Sequence, residues 1–208
     1  NDRPPLRLNA IVHFTDGRRY PLTVVAAHQR SLSDVDSSDS VDPATHLGYT
    51  IRGEEVRAKR AEQAAYVAQL VDDLQTADPS GKIVLVGDFN TFDVNDGYVD
   101  AMGITTGNPA PASEVIHWAD SPLSPANGGR PLIVGNELTA DPEERYSYIF
   151  GNITQTLDHV LVNEALVEDA AITGATVDHA RLNADFRSGH QSVFNPPYTA
   201  ENPPLRTS

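Results

Sequence analysis

Lys82-Ile83-Val84-Leu85-Val86-Gly87-Asp88-Phe89-Asn90 decides the fold of this chain, because an apolar run ends there abruptly in an acid, an aromatic residue and an amide. The branched aliphatic residues from Ile83 to Val86 predict a strand buried on both faces, where polar and apolar residues need not alternate. Asp88 and Asn90 follow at its carboxyl end, where ligands bind in open α/β sheets. The competing interpretation is an ordinary turn, because Gly, Asp and Asn are turn residues.

The residue types at the end of this strand suit phosphate chemistry. Side chains two residues apart on a strand can point into the same crevice. Asp88 offers hard oxygen ligands and a possible proton acceptor, whereas Asn90 donates hydrogen bonds without carrying a charge. Together they fit a phosphate that is attacked by water.

Length and composition favour one globular domain or a large part of one. The chain has 208 residues, 39% of them hydrophobic and 21% charged. No run approaches the roughly 18 apolar residues of a membrane helix, and no signal-peptide pattern opens the chain. Because Asn1 is not an initiator methionine, the missing leader gives no information about secretion.

The net charge and the absence of cysteine limit the kinds of site and ligand that this chain can have. The chain has no cysteine, which excludes disulfides, zinc–thiolate sites and a thiol nucleophile. Its net charge of −14 repels polyanions at long range and disfavours tight, nonspecific nucleic-acid binding without divalent ions. A phosphate-bearing substrate therefore requires a local basic patch or bound divalent cations.

The first part of the chain repeats the pattern seen at Asp88. Asp16-Gly17 between two apolar segments predicts a hairpin, and its second strand, Leu22 to Ala27, leads directly into His28. An isolated histidine is more often a structural hydrogen-bonding group, but its position directly after a strand makes His28 a candidate for function. The Ser- and Asp-rich stretch from Ser31 to Thr45 predicts a loop.

A long helix is predicted from Glu54 to Gln75. Its apolar residues recur at spacings of three and four, and Asp78-Pro79-Ser80-Gly81 ends it. Four basic residues near its start predict a solvated face, with a phosphate contact as the alternative; they are Arg52, Arg57, Lys59 and Arg60. The Pro-, Gly- and Asn-rich segment that follows Asp100 and runs to Glu144 predicts a surface connection with short helical pieces. Trp118 is expected to anchor this connection, with a base-stacking platform as the alternative.

A second hairpin is predicted near the end of the chain. Its strands run from Tyr146 to Phe150 and from Ile153 to Val162, with Gly151-Asn152 as the turn. Period two places Asp158 and His159 on opposite faces of the second strand. A carboxylate between apolar neighbours needs a partner, either an imidazole that it orients or backbone amides, and the sequence leaves both open.

Three segments, in this order, resemble the endonuclease/exonuclease/phosphatase superfamily. Gly87-Asp88-Phe89-Asn90 matches its Gly-Asp-Phe-Asn motif, and Val25-Ala26-Ala27-His28 resembles its histidine strand. Leu157-Asp158-His159-Val160-Leu161 resembles the segment whose aspartate orients the superfamily's last histidine. The resemblance implies an α/β (α+β) fold, a deoxyribonuclease-like four-layer β-sandwich flanked by helices. Arg3-Pro4-Pro5-Leu6 and Asp96 to Asp100 further resemble large bacterial, often exported, nuclease-like members, which implies an extracellular or cell-surface protein.

The chain departs from the superfamily's pattern at both ends. No counterpart of the Asn and Glu that hold the metal precedes His28, and the closing Ser-Asp-His motif is absent. Residues 1–208 are therefore expected to form part of a single domain that is truncated at both ends, with the closing motif beginning near Thr207-Ser208. In a rival interpretation, Ser188-Gly189-His190 is a degenerate closing motif that lacks the carboxylate.

The resemblance implies a metal-dependent hydrolase. His28, Asp88, Asn90 and Asp158 are the expected catalytic residues: His28 contacts the phosphate, Asp88 orients or deprotonates the water, Asn90 stabilises developing charge and Asp158 orients the missing histidine. Asp88 and Asn90 are the expected ligands of Mg²⁺, with Ca²⁺ or Mn²⁺ as alternatives. The expected substrate is nucleic acid, with small or lipid phosphates as alternatives. The alternative to an enzyme is a non-catalytic fragment or binding module.

Overall fold

The computed structural model describes residues 3–42, 44, 48–150, 153–169, 171 and 175–179. The sequence hypotheses about Gly151-Asn152, Ser188 to His190 and Thr207-Ser208 lie outside these residues. The strands and α-helices of the described residues are β1 (Leu6–His13), β2 (Arg19–His28), α1 (Arg52–Ala77), β3 (Ile83–Asp88), α2 (Ala101–Thr106), β4 (Leu132–Val134), β5 (Tyr148–Phe150), β6 (Ile153–Gln155), β7 (Asp158–Asn163) and α3 (Glu164–Val167).

Five of these strands form one mixed sheet in the order β1-β2-β3-β7-β4. β2 and β3 are parallel, whereas the other neighbouring strands are antiparallel. This confirms the predicted α/β class. The described residues supply one sheet, a helical layer and the separate β5–β6 pair, which agrees with the prediction of a partial sandwich.

The two faces of the sheet differ in burial. Val25, Leu85 and Leu161 are paired by register and fully buried beneath α1, and we call their side the covered face. The next register row lies on the opposite side, the open face, where Leu6 is 71% exposed and Val86 is half-buried. Among the described residues, α1 packs against the covered face, so β3 is buried there and half-buried on the open face. The predicted burial of β3 on both faces is therefore correct for the covered face and wrong for the open face.

Helix α1 extends the predicted helix by two residues at each end and stops at Asp78, as predicted. Its apolar stripe packs against the covered face through Val67, Ala68 and Val71. In the described residues, no helix combines the length and the apolar character that crossing a membrane requires.

The long connection after β3 carries the short helical pieces that were predicted. These are α2 and the 3₁₀ turns Ala112–Glu114, Pro125–Asn127, Gly135–Leu138 and Pro142–Glu144. The indole Nε1 of Trp118 donates a hydrogen bond to the carbonyl oxygen of Ala110 at 3.1 Å. This bond ties one part of the connection to another, as expected for an anchor.

The second hairpin is shorter than predicted. The strand expected from Ile153 to Val162 is interrupted at Thr156 and Leu157, so β6 pairs with β5 while β7 joins the main sheet beside β3. The Thr156 hydroxyl donates a hydrogen bond to the carbonyl of Arg145 at 2.9 Å, and the Leu157 carbonyl accepts one from Phe89. These tertiary bonds redirect the chain between β6 and β7.

Candidate functional site

The register of the central strands brings His28, Asp88 and Asp158 side by side. His28 pairs with Asp88 across β2 and β3, and Asp88 pairs with Asp158 across β3 and β7. Residues in register share a face, so all three lie at one end of the open face. The Nε2 atom of His28 is 3.5 Å from an Asp88 carboxylate oxygen, and the side chains are 43% and 38% exposed.

Asn90 joins these residues from the turn that follows β3. Its φ of +49° lies in the left-handed region, which asparagine tolerates better than most residues. Its backbone N–H donates to Asp88 at 2.9 Å, and its side-chain Nδ2 donates to the Gln29 carbonyl at 3.1 Å. The structure thus brings together all four predicted site residues, which we call the edge cluster: His28, Asp88, Asn90 and Asp158.

The glycine of the Gly-Asp-Phe-Asn motif permits close contact between two strands of the site. Gly87 has a φ of +144°, and a Cβ atom built on it would lie 1.9 Å from the Ala27 carbonyl oxygen. A side chain at this position would therefore push β2 away from β3 directly before His28 and Asp88.

A buried arginine connects the loops on which the edge cluster depends. The side chain of Arg60 is 1% exposed, and its Nη1 donates to the carbonyl oxygens of Arg30 at 2.7 Å and Asn90 at 2.9 Å. Burial lowers the pKa of Arg60, although Asp96, 3.5 Å away, opposes this effect. The prediction of a solvated face is wrong for Arg60. Arg60 lies four residues before Ala64, and therefore on the same side of α1 as the apolar stripe, which is the sequence signal that could have indicated its burial.

A basic cavity lies beside His28 and Asn90. It encloses about 160 Å³, and Arg3, Arg30 and Lys59 are among the residues that line it. The Arg30 guanidinium also donates to the Ser31 hydroxyl at 2.7 Å and to the Ser33 carbonyl at 3.1 Å. The guanidinium group of Arg3 lies against the His28 ring. This is the local basic patch that the strongly acidic composition requires for a phosphate-bearing ligand. The sequence suggested a phosphate contact near Lys59 but identified neither Arg3 nor Arg30.

Asp158 is exposed rather than buried between apolar residues, so the expectation based on its apolar neighbours is wrong. It is the first residue of β7, at the end of the open face, and the Ser147 hydroxyl donates to it at 3.5 Å. Burial raises the pKa of Tyr148, and the charges of Asp88 and Asp158 raise it further. The Tyr148 hydroxyl therefore remains protonated near these carboxylates.

A second polar group of similar composition lies beneath the covered face. His159 is buried, with Nδ1 3.1 Å from Asp93, and its Nε2 donates to the Thr91 carbonyl at 2.8 Å. The Asn136 side chain donates to Asp93 and accepts a hydrogen bond from His179 at 2.7 Å. We call Asp93, Asn136, His159 and His179 the buried cluster after Asn136 and His159, which are buried; the Asp93 side chain is 35% exposed and His179 is half-buried. Local sequence patterns did not predict this pairing, because Asp93 lies in an irregular loop.

The oxygen atoms of the edge cluster suit a Mg²⁺ ion that also keeps water or phosphate ligands better than an ion held by protein ligands alone. Among the described residues, no three His, Asp or Glu side chains are grouped so that they could hold a metal ion. The cluster nevertheless offers the adjacent carboxylates of Asp88 and Asp158 and the amide oxygen of Asn90. Mg²⁺ is commonly bound by one or two carboxylates together with water and substrate phosphates, so this chemistry fits.

Comparisons with known proteins found similarity to solved structures. No protein-family model matches the chain, and no curated protein matches it. A β-hairpin deletion mutant of beta toxin from Staphylococcus aureus is 12% identical with a TM-score of 0.36, and the match covers 91% of this chain and 51% of that one. Sphingomyelinase C from Streptomyces griseocarneus is 19% identical with a TM-score of 0.35, covering 78% and 43%.

A third solved structure comes from Bacteroides thetaiotaomicron and is 17% identical, with a TM-score of 0.30, covering 72% of this chain and 38% of that one. The chain therefore spans about half, or less, of the length of these proteins. The Bacteroides protein is itself an endonuclease/exonuclease/phosphatase family protein. The Gly-Asp-Phe-Asn motif of this chain, at residues 87–90, resembles the motif of that superfamily.

Proposed function

We propose that this chain forms part of a metal-dependent phosphoesterase, and specifically of a nuclease that hydrolyses phosphodiester bonds of nucleic acid. The observation that supports this proposal is the convergence of the edge cluster beside a cavity lined by Arg3, Arg30 and Lys59. Residues far apart in sequence meet there in the combination that phosphate binding and water activation require.

The basic cavity would bind the phosphate. Arginine donates paired, charge-assisted hydrogen bonds to phosphate oxygens, and lysine contributes a compact positive charge. The net charge of −14 makes the rest of the protein repulsive to such a ligand, so binding depends on these local cations. His28, which also lines the cavity, would contact the same phosphate.

The edge cluster would act on the attacking water and on the developing charge. Asp88 would orient the water or accept its proton. The Asn90 amide nitrogen carries two N–H groups, so one can hold the Gln29 carbonyl while the other donates to a phosphoryl oxygen. Asp158, directly beside Asp88, would orient a histidine as the resemblance implies.

A divalent cation fits this arrangement. When bound, Mg²⁺, Ca²⁺ or Mn²⁺ would offset negative charge on the phosphate and the leaving group. Asp88 and the amide oxygen of Asn90 are the proposed ligands, and Asp158 supplies a neighbouring carboxylate. The proposal also includes an extracellular or cell-surface location, which is supported only by the resemblance of Arg3 to Leu6 and Asp96 to Asp100 to exported members.

Hydrolysis assays with and without divalent metal test the proposal. The chain and the product of its complete reading frame would each be incubated with DNA, RNA and bis(p-nitrophenyl) phosphate, in Mg²⁺ or in EDTA. We expect metal-dependent cleavage of nucleic acid by the complete product, lowered by about 10²–10⁴-fold by Asp88→Asn and unaffected by Asp73→Asn, at an exposed position of α1. A folded complete product that cleaves none of these substrates in Mg²⁺, Ca²⁺ or Mn²⁺ would overturn the proposal.

A further inference from the structure

A larger cavity adjoins the basic cavity. It encloses about 470 Å³ and begins at His28, from where it extends along helix α1 to Tyr66 and across to Pro4 and Pro5. The two cavities share part of their lining, namely Arg3, His28, Gln29, Lys59 and Gln63. A phosphate in the basic cavity would therefore direct the group that it carries into this larger space.

The walls of the larger cavity combine flat apolar surfaces with a few polar groups. Pro4, Pro5 and the ring of Tyr66 supply the flat surfaces, and Tyr66 is 62% exposed even though it lies on the core helix of the fold. Glu62 and Lys59 contribute a carboxylate and an amine. A volume of this size lies within the range of about 300–1,000 Å³ that is usual for small-molecule sites.

We propose that this cavity is the subsite for the nucleoside attached to the phosphate, with the base packed against Tyr66. The inference rests on the proposed function and specifies its substrate class. A planar base can stack on the Tyr66 ring, and stacking on an aromatic side chain accepts any base. The carboxylate of Glu62 can accept hydrogen bonds from the edge of a base or from sugar hydroxyls.

An acyl chain fits this lining less well. It would remove water from the exposed carboxylate of Glu62 without replacing the lost hydrogen bonds, which is costly. A nucleoside replaces those bonds while it covers the same apolar surface. The lining therefore favours a nucleotide over a lipid phosphate.

Binding measurements test the subsite independently of hydrolysis. The dissociation constants of AMP, UMP, ribose 5-phosphate and inorganic phosphate would be measured by calorimetry on the folded protein in Mg²⁺. We expect both nucleotides to bind roughly tenfold more tightly than ribose 5-phosphate, because base stacking supplies the difference. Tyr66→Ala should remove this advantage and Tyr66→Phe should keep it. Gln69→Ala, a matched change on the exposed side of α1 outside the cavity lining, should also keep it.

The results separate a failure of the nucleoside subsite from a failure of the proposed function. If ribose 5-phosphate binds as tightly as AMP and UMP, the nucleoside subsite is overturned while the phosphate site stands. If dihexanoyl phosphatidic acid gains affinity through Tyr66 and the nucleotides do not, a lipid subsite replaces it. If neither inorganic phosphate nor any nucleotide binds, both the subsite and the phosphate site of the proposed function are overturned.

Discussion

The edge cluster and the buried cluster each contain an imidazole, a carboxylate and a carboxamide, yet their surroundings differ. In the edge cluster, His28 and Asp88 are 3.5 Å apart and both are well exposed beside a basic cavity. In the buried cluster, His159 and Asp93 are 3.1 Å apart; the His159 side chain is only 1% exposed, whereas the Asp93 side chain, at 35%, is about as exposed as that of Asp88.

The difference shows that the same residue types occupy two different environments in this fold. The imidazole of His159 is held by the Thr91 carbonyl and by Asp93, so it fixes the loop after β3 to β7. The imidazole of His28 faces a cavity that a ligand can enter. We therefore expect matched substitutions in the two clusters to have opposite effects on activity and stability.

Substitution of the carboxylates should give the largest difference in activity between the two clusters. In the complete product, Asp88→Asn should lower hydrolysis by about 10²–10⁴-fold, because it removes the proposed proton acceptor. Its amide oxygen can still accept the hydrogen bond from the Asn90 backbone, so the melting temperature should be nearly unchanged. Asp93→Asn should lower the melting temperature and leave most of the activity. Equal loss of activity in the two variants would remove the distinction between the clusters.

The carboxamides should give the next largest contrast. Asn90→Ala should reduce turnover by about 10²–10³-fold, because it removes a donor to developing charge. The positive φ of Asn90 adds backbone strain to an alanine, so Asn90→Gly serves as the strain-free control. Both variants should lose activity, whereas Asn136→Ala should mainly lose stability. Near-normal turnover in Asn90→Gly would contradict the assigned role.

The imidazoles allow a direct test of stability. His159→Ala should lower the free energy of unfolding by about 1–3 kcal/mol or more, because it leaves the Thr91 carbonyl buried without its donor. His28→Ala, at an exposed position, should change it much less while weakening phosphate binding. Urea denaturation followed by circular dichroism measures the first effect, and calorimetry with inorganic phosphate measures the second. A stability loss in His28→Ala as large as that in His159→Ala would contradict this prediction.

The smallest expected effect is a dependence of stability on pH. Burial raises the pKa of Asp93, but hydrogen bonds from His159 and Asn136 outweigh it, so the pKa lies below its ordinary value of 3.8. The folded state therefore favours the carboxylate, and this stabilisation is present above pH 3.8 and is lost as the pH falls through the lower, folded value. Urea midpoints between about pH 5 and pH 2 should fall less steeply in Asp93→Asn than in the parent protein. Parallel profiles would show that Asp93 does not contribute.

Local sequence patterns predicted most of the fold. The Asp16-Gly17 turn, the apolar run before Asp88 and the stripe of α1 each depend on neighbours in sequence, and the structure contains the elements that they indicate. The patterns failed at Thr156 and Leu157, where hydrogen bonds to distant residues break the expected strand. They also failed at Arg60, whose burial depends on the two carbonyl groups that it binds across the fold.

The sequence by itself indicated the candidate residues. Local patterns placed His28 and Asp88 at or directly after the ends of strands and Asn90 in the turn that follows, whereas Asp158 was expected within a longer strand and was selected by its resemblance to the superfamily. The tertiary structure alone decided which of them meet and what surrounds them. Register placed three of them in one row of the open face, and folding brought Arg3, Arg30 and Lys59 to the same cavity. Register and cavities arise from contacts between segments distant in the chain, which no local pattern encodes.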